Sequence, residues 1–151
     1  MSAKLLMPGY YWQDLAIGGR FQTLKRTVTE ADLINFISTT GMLEAIFIDA
    51  HYEGGAIAGR PVPGALTCAL IEGMQFQTLL QGTGLAMLEM SVRAVSPVCV
   101  GDTIDAIIEI TDIRPTSKGG RAVVKSKVEI FNQHHTLAMV YDVARLIKGR
   151  E

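Results

Sequence analysis

The stretch from Gly41 to Gly64 holds the groups best suited to move a proton or polarise a carbonyl. Glu44 stands within Leu43-Glu44-Ala45-Ile46-Phe47. Burial among those apolar neighbours would raise its pKa toward a range useful in general acid–base catalysis. An exposed carboxylate beside a buried strip is the competing reading. Asp49 and His51 are two positions apart, and a short turn would let the carboxylate orient the imidazole as an acid/base dyad. Alternatively, Asp49 caps a helical turn while His51 faces water or pairs with Glu53. Pro63-Gly64 opens a long apolar run. A helix starting there would present free backbone N–H groups and a partial positive charge, and Gly64, lacking a side chain, would let a carbonyl oxygen come close.

The elements that must carry these groups follow from periodicity and turn chemistry. Residues 1–17 have no clean period and read as an N-terminal arm packed on the rest. Alternation from Gly19 through RFQTLKRTV predicts a strand. Thr29 with Asp32 forms a capping-box pattern ahead of Leu33, Ile34, Phe36 and Ile37, and Gly41 supplies a C-terminal stop, so a helix is expected between them. Met42 to Ala58 mixes apolar and polar residues and reads as a loop with short helical turns. The apolar run Ala65 to Leu80 predicts a mostly buried helix. Period-two segments at Ala86–Val95, Thr103–Ile113, Arg121–Phe131 and Leu137–Ile147, separated by turn residues, predict four strands in three successive antiparallel hairpins. An antiparallel sheet covering one long helix is an α+β layout, the hot-dog fold, and no repeat or linker divides residues 1–151 into two domains.

Composition narrows the partners. The 151-residue chain has a formal net charge of −1, which offers no excess of positive charge to draw it to nucleic acid or anionic lipid. Glu72, Glu89, Arg93 and Asp102 interrupt the hydrophobic middle before it reaches the length of a membrane span. Cys68 and Cys99 lie in apolar stretches, and residues 1–7 do not read as a secretion signal, so a reducing cytoplasm is the expected location. His134-His135 cannot complete a tetrahedral shell alone, so no metal is expected.

Five landmarks occur in order: TEADLINFISTTG, FIDAHY, RPVPGALTCAL, SPVCVGDTI and the late Asn132-Gln133 before the last strand. In this order and spacing, from about Gly19 to Lys148, the chain resembles the MaoC-like dehydratase family, which includes the R-specific enoyl-CoA hydratases. The resemblance implies that an acyl thioester of coenzyme A binds between subunits or along the central helix, with coenzyme A as part of the substrate and no separate cofactor. In the family's hydratases the loop before that helix carries D-x-N-P-x-H, whose Asp and His hold the water and act as acid and base. The aligned positions here hold Met42, Glu44, Ala45 and Phe47, followed by Asp49 at the family's next Asp. Pro63 occupies the His position of the helix-opening His-Gly, and Ala69 a position often held by Ser.

Met and Phe cannot exchange protons with water, so Glu44, with Asp49 or His51, becomes the expected substitute. Phe47, Pro63 and Gly64 are expected to line the substrate. Arg60, Arg93, Lys118 and Arg121 are the basic residues expected to meet the coenzyme A phosphates, and the sequence does not rank them; a solvated surface charge is the competing reading for each. The implied activity is a lyase of the acyl-CoA dehydratase or enoyl-CoA hydratase type. The alternatives are a hot-dog thioesterase using Glu44 to direct water at the carbonyl, and a noncatalytic acyl-thioester-binding subunit whose partner supplies the acid and base. A curved sheet around one helix leaves apolar edges, so a homodimer or dimer-based oligomer is expected.

Overall fold

Alternation of small and branched apolar residues builds the middle of a twisted antiparallel sheet. In the computed structural model, which describes residues 2–151, β4 (Thr103–Pro115), β5 (Arg121–Phe131) and β6 (Leu137–Lys148) form a meander. Ala122, Val124, Ser126, Val128 and Ile130 are buried at every second position of β5, as one inward face requires. The short strands β1 (Arg20–Gln22) and β2 (Arg26–Thr27) both pair with β4, so the predicted first strand is two pieces rather than one. Between them the chain turns in through Thr23, whose N–H donates to the Ala106 carbonyl and whose Oγ1 accepts from Ala106 N–H.

The strand β3 (Gly84–Ala94) pairs with β6, giving the order β1-β4-β5-β6-β3. The expected first hairpin, β3 with β4, is therefore wrong: the two strands lie toward opposite sides of the sheet. Val95 and Ser96 N–H still donate to the Ala138 carbonyl, and the chain then crosses the end of the sheet through Pro97, with Pro61 and Cys99 in an antiparallel bridge. Turn residues mark where a strand stops but do not fix its partner, because consecutive strands need not be neighbours in a sheet.

Three helices pack with the sheet. The helix α1 (Glu30–Thr40) begins with a capping box in which Thr29 Oγ1 accepts from Asp32 N–H and Asp32 accepts from Thr29 N–H, and it ends at Gly41 with φ 78°. That left-handed conformation is cheap only for glycine. One turn of helix, α2 (Ala45–Ile48), follows within the expected loop. The central helix α3 (Gly64–Phe76) buries Leu66, Thr67, Ile71 and Gln75, and the sheet wraps it in the hot-dog arrangement. Odd-numbered residues of β6 face it: Met139 reaches Gly64 and Cys68, and Tyr141 and Arg145 reach the second half of the helix. The arm is held to the end of this helix by Gly9 N–H donating to the Gln81 carbonyl and Tyr10 N–H to that of Leu79. No helix among the described residues is long and apolar enough to cross a membrane.

Candidate active site

The entrance to α3 is built to leave backbone donors free. Pro63, at φ −56° and ψ 139°, is the N-cap residue and is buried, and its carbonyl accepts from Leu66 and Thr67 N–H. The N–H groups of Gly64 and Ala65 have no partner among the described residues and sit at exposed positions. A Cβ on Gly64 would stand 3.1 Å from Met139 Cε, so glycine here also lets β6 pack against the start of the helix. Two aligned N–H groups at a helix start form a receptor for a carbonyl oxygen.

The loop residues are arranged differently from the burial argument for Glu44. Glu44 is exposed and is the N-cap of α2, with Oε1 accepting from Ala45 N–H at 2.9 Å. The expected apolar enclosure is absent because Leu43 is itself 59% exposed and the helix turns Phe47 inward instead. Its second oxygen has no hydrogen bond among the described residues. Asp49 Oδ1 accepts from the backbone N–H of His51 at 2.9 Å, not from the imidazole, so the expected dyad is not formed and Asp49 closes a turn after α2. His51 is exposed. Asp49 lines a small cleft of about 120 Å³ with Ile46, Tyr52, Ile57 and Pro61.

Arg60 is committed to its own chain. Its guanidinium donates to both Glu30 carboxylate oxygens, at 2.6 and 3.1 Å, and to the Phe47 carbonyl. This clamp ties the start of α1 and the end of α2 to the approach to α3; the bond to Arg60 pulls the Glu30 carboxyl below its usual pKa, and Glu30 pushes that of Arg60 up. Three of its five N–H groups are thus engaged within the chain and the Glu30 carboxylate offsets its charge, which makes Arg60 a poorer anchor for a phosphate than its sequence position suggests. Arg93 stands in register with Val140, on the sheet face away from Met139 and Tyr141, while Arg121 pairs with Lys148 and lies with Lys118 at the far end of the sheet.

A polar cluster that sequence reasoning missed lies between α3 and β6. Glu72 Oε1 accepts from Tyr141 Oη at 2.6 Å, from Gln75 Nε2 at 3.3 Å and from Arg145, whose side chain is 6% exposed. Glu72 Oε2 is buried without a hydrogen-bond partner among the described residues, as is Thr67 Oγ1. Burial, and then the Glu72 carboxylate, raises the Tyr141 phenol well above its ordinary value and pushes the Cys68 thiol up to about 11, so Cys68 is a neutral thiol near pH 7. The available signal was a carboxylate at position 72 inside an otherwise apolar helix, four residues after Cys68 and thus on the same face.

A family model described as a MaoC like domain matches residues 14–132. The chain belongs to the MaoC-like dehydratase family. The match runs from the arm to the turn after β5 and so includes the α2 loop and the α3 entrance, while β6 lies beyond it. Among curated relatives, this MaoC-like chain is 26% identical to a 3-hydroxybutyryl-CoA dehydratase of Methylorubrum extorquens, over 74% of this chain and 70% of that protein. It is 24% identical to an (R)-specific enoyl-CoA hydratase of Rhodospirillum rubrum, over 72% of this chain and 75% of that one. Among solved structures, a MaoC-like dehydratase from Rhodospirillum rubrum superposes with a TM-score of 0.82 at 19% identity, covering 95% of this chain and 99% of the other.

Proposed function

We propose that this MaoC-like protein is an acyl-thioester hydro-lyase that adds water to, or removes it from, the C2–C3 bond of a coenzyme A ester. The observation that carries the reading is the pair of free N–H groups at Gly64 and Ala65. A thioester carbonyl accepting from both would be polarised, and negative charge developing on its oxygen as hydroxide adds to C3 would be stabilised by donors already in place. The curated relatives named above are a dehydratase and a hydratase.

Hydration also needs a group that takes a proton from water and one that protonates C2. Among the described residues Glu44 has a carboxylate oxygen and His51 an imidazole without a hydrogen bond, and we assign the first role to Glu44. Glu44→Gln keeps an oxygen to cap α2 and removes the proton chemistry, so kcat should fall about a hundredfold while the melting temperature stays nearly constant. Full turnover in Glu44→Gln with loss in His51→Gln would move the role to His51. The activity itself is tested on a panel of enoyl-CoA esters: loss of the enoyl absorbance is expected, whereas thiol release would mark a thioesterase and binding without turnover a carrier subunit.

The protein should act as a dimer or a multiple of one. The strand β3 has one free edge, and Leu85, Met87, Leu88 and Val92 on it, with Phe76 at the end of α3, are 44–54% exposed. A second copy covering that edge would pair its backbone and bury those side chains. Light scattering should give at least twice the mass of one chain at micromolar concentration, and Leu88→Lys with Val92→Lys should shift it toward the monomer.

A further inference from the structure

A second cavity, of about 260 Å³, lies between the N-terminal arm and the far end of α3. Met74, on its wall, is ten residues beyond Gly64, or about 15 Å along the helix axis, so this space is separate from the carbonyl receptor. Tyr10, Phe21, Met74, Leu79 and Ile108 form its apolar wall, and Ile108 is 3% exposed, so the cavity reaches the inner face of the sheet. The deepest polar side chain is Gln75, 2% exposed, whose amide nitrogen is already used by Tyr141 Oη at 2.8 Å and by Glu72. The deep wall therefore offers no free amide donor.

The arm roofs the cavity and cannot drift outward while Gly9 and Tyr10 hold the end of α3. A Cβ on Gly9 would collide with the Gln81 carbonyl, so the close approach requires glycine. Tyr10 also stacks edge to face on Phe21 at 5.3 Å. At the open side, Met7 is 55% and Leu24 85% exposed. Lys25, beside Leu24, and Lys4, three residues before Met7, are exposed and form no ion pair among the described residues. A mainly apolar cavity whose mouth residues Leu24 and Met7 lie close along the chain to two exposed lysines is complementary to an amphiphile carrying one negative charge. A cavity of about 150 Å³ holds the six carbons of benzene, so this one should hold roughly eight to ten.

We propose that this cavity binds the hydrocarbon tail of an unbranched, medium-chain carboxylic acid, with the carboxylate at the rim beside Lys25. The proposal does not depend on the reaction assigned to the α3 entrance. Calorimetric titration of the whole protein with the series from butanoate to dodecanoate tests it. Affinity should rise about three- to fourfold per added methylene and level off at about eight to ten carbons, where the space is full. Thr78→Trp, at an exposed lining position, should weaken decanoate at least tenfold. Leu24→Asp, which touches no core residue, should weaken it at least fivefold, and Lys25→Glu should weaken decanoate severalfold at low salt while leaving 1-decanol unchanged. An affinity independent of chain length would overturn the proposal. So would decanoate binding that is unchanged in folded Thr78→Trp and Leu24→Asp, since the chain would then lie elsewhere on the protein.

Discussion

Replacing Glu72 by leucine should destabilise the protein by about 3–5 kcal/mol, the largest stability loss we expect from one substitution outside the apolar core. The carboxylate and Arg145 are 12% and 6% exposed in their side chains, so removing one charge leaves the other in a poorly solvated site. Tyr141 Oη also loses the acceptor it donates to at 2.6 Å, and it is fully buried. The face of the Phe76 ring, 5.8 Å from the guanidinium carbon, offers only partial compensation to the cation. Urea unfolding at a fixed protein concentration measures the loss, because any association would otherwise add to it. The double variant Glu72→Leu with Arg145→Met should recover most of the stability, since an apolar pair of similar volume removes both desolvation costs together. If the single variant loses less than about 1 kcal/mol, the pair is more hydrated than its burial implies.

Gly64→Pro should lower kcat on an enoyl-CoA ester by about a hundredfold to a thousandfold while leaving the fold intact. Gly64 is the first residue of α3, where the missing N–H of proline is no loss to the helix. Pro63, at ψ 139°, already has the extended conformation that a following proline requires. The substitution thus removes one of two donors aimed at the carbonyl and spares the helix. Gly64→Ala is the control: it keeps the N–H and adds a Cβ at 3.1 Å from the flexible end of Met139, so its effect on kcat should be small. Circular dichroism and the melting temperature check the fold of both. Equal losses in the two variants would mean that crowding against Met139, not the lost donor, sets the rate.

Local chemistry makes several parts of this protein legible from its amino-acid sequence alone. The Thr29–Asp32 box and Gly41 delimit α1 because capping is settled within a few residues. The helix at Gly64 and the β4-β5-β6 meander follow from period and turn type. The ordered landmarks from the TEADLINFISTTG helix to SPVCVGDTI are enough to place the chain in its family. Only the tertiary structure decides what depends on distant segments meeting. The partner of β3 is β6, some fifty residues away, and not the next strand β4, because the chain after β3 leaves the strand and crosses the end of the sheet before β4 begins. Arg60 is taken by Glu30 and Phe47, partners 30 and 13 residues off, so its sequence position next to the helix entrance says nothing about whether its charge is free. Burial goes the same way: Glu44, flanked by apolar residues, faces water, while Glu72, which along the chain only interrupts a hydrophobic run, is held inside by side chains from β6. A sequence states which groups are neighbours along the chain, and the pKa, reach and accessibility of a group are set by its neighbours in space.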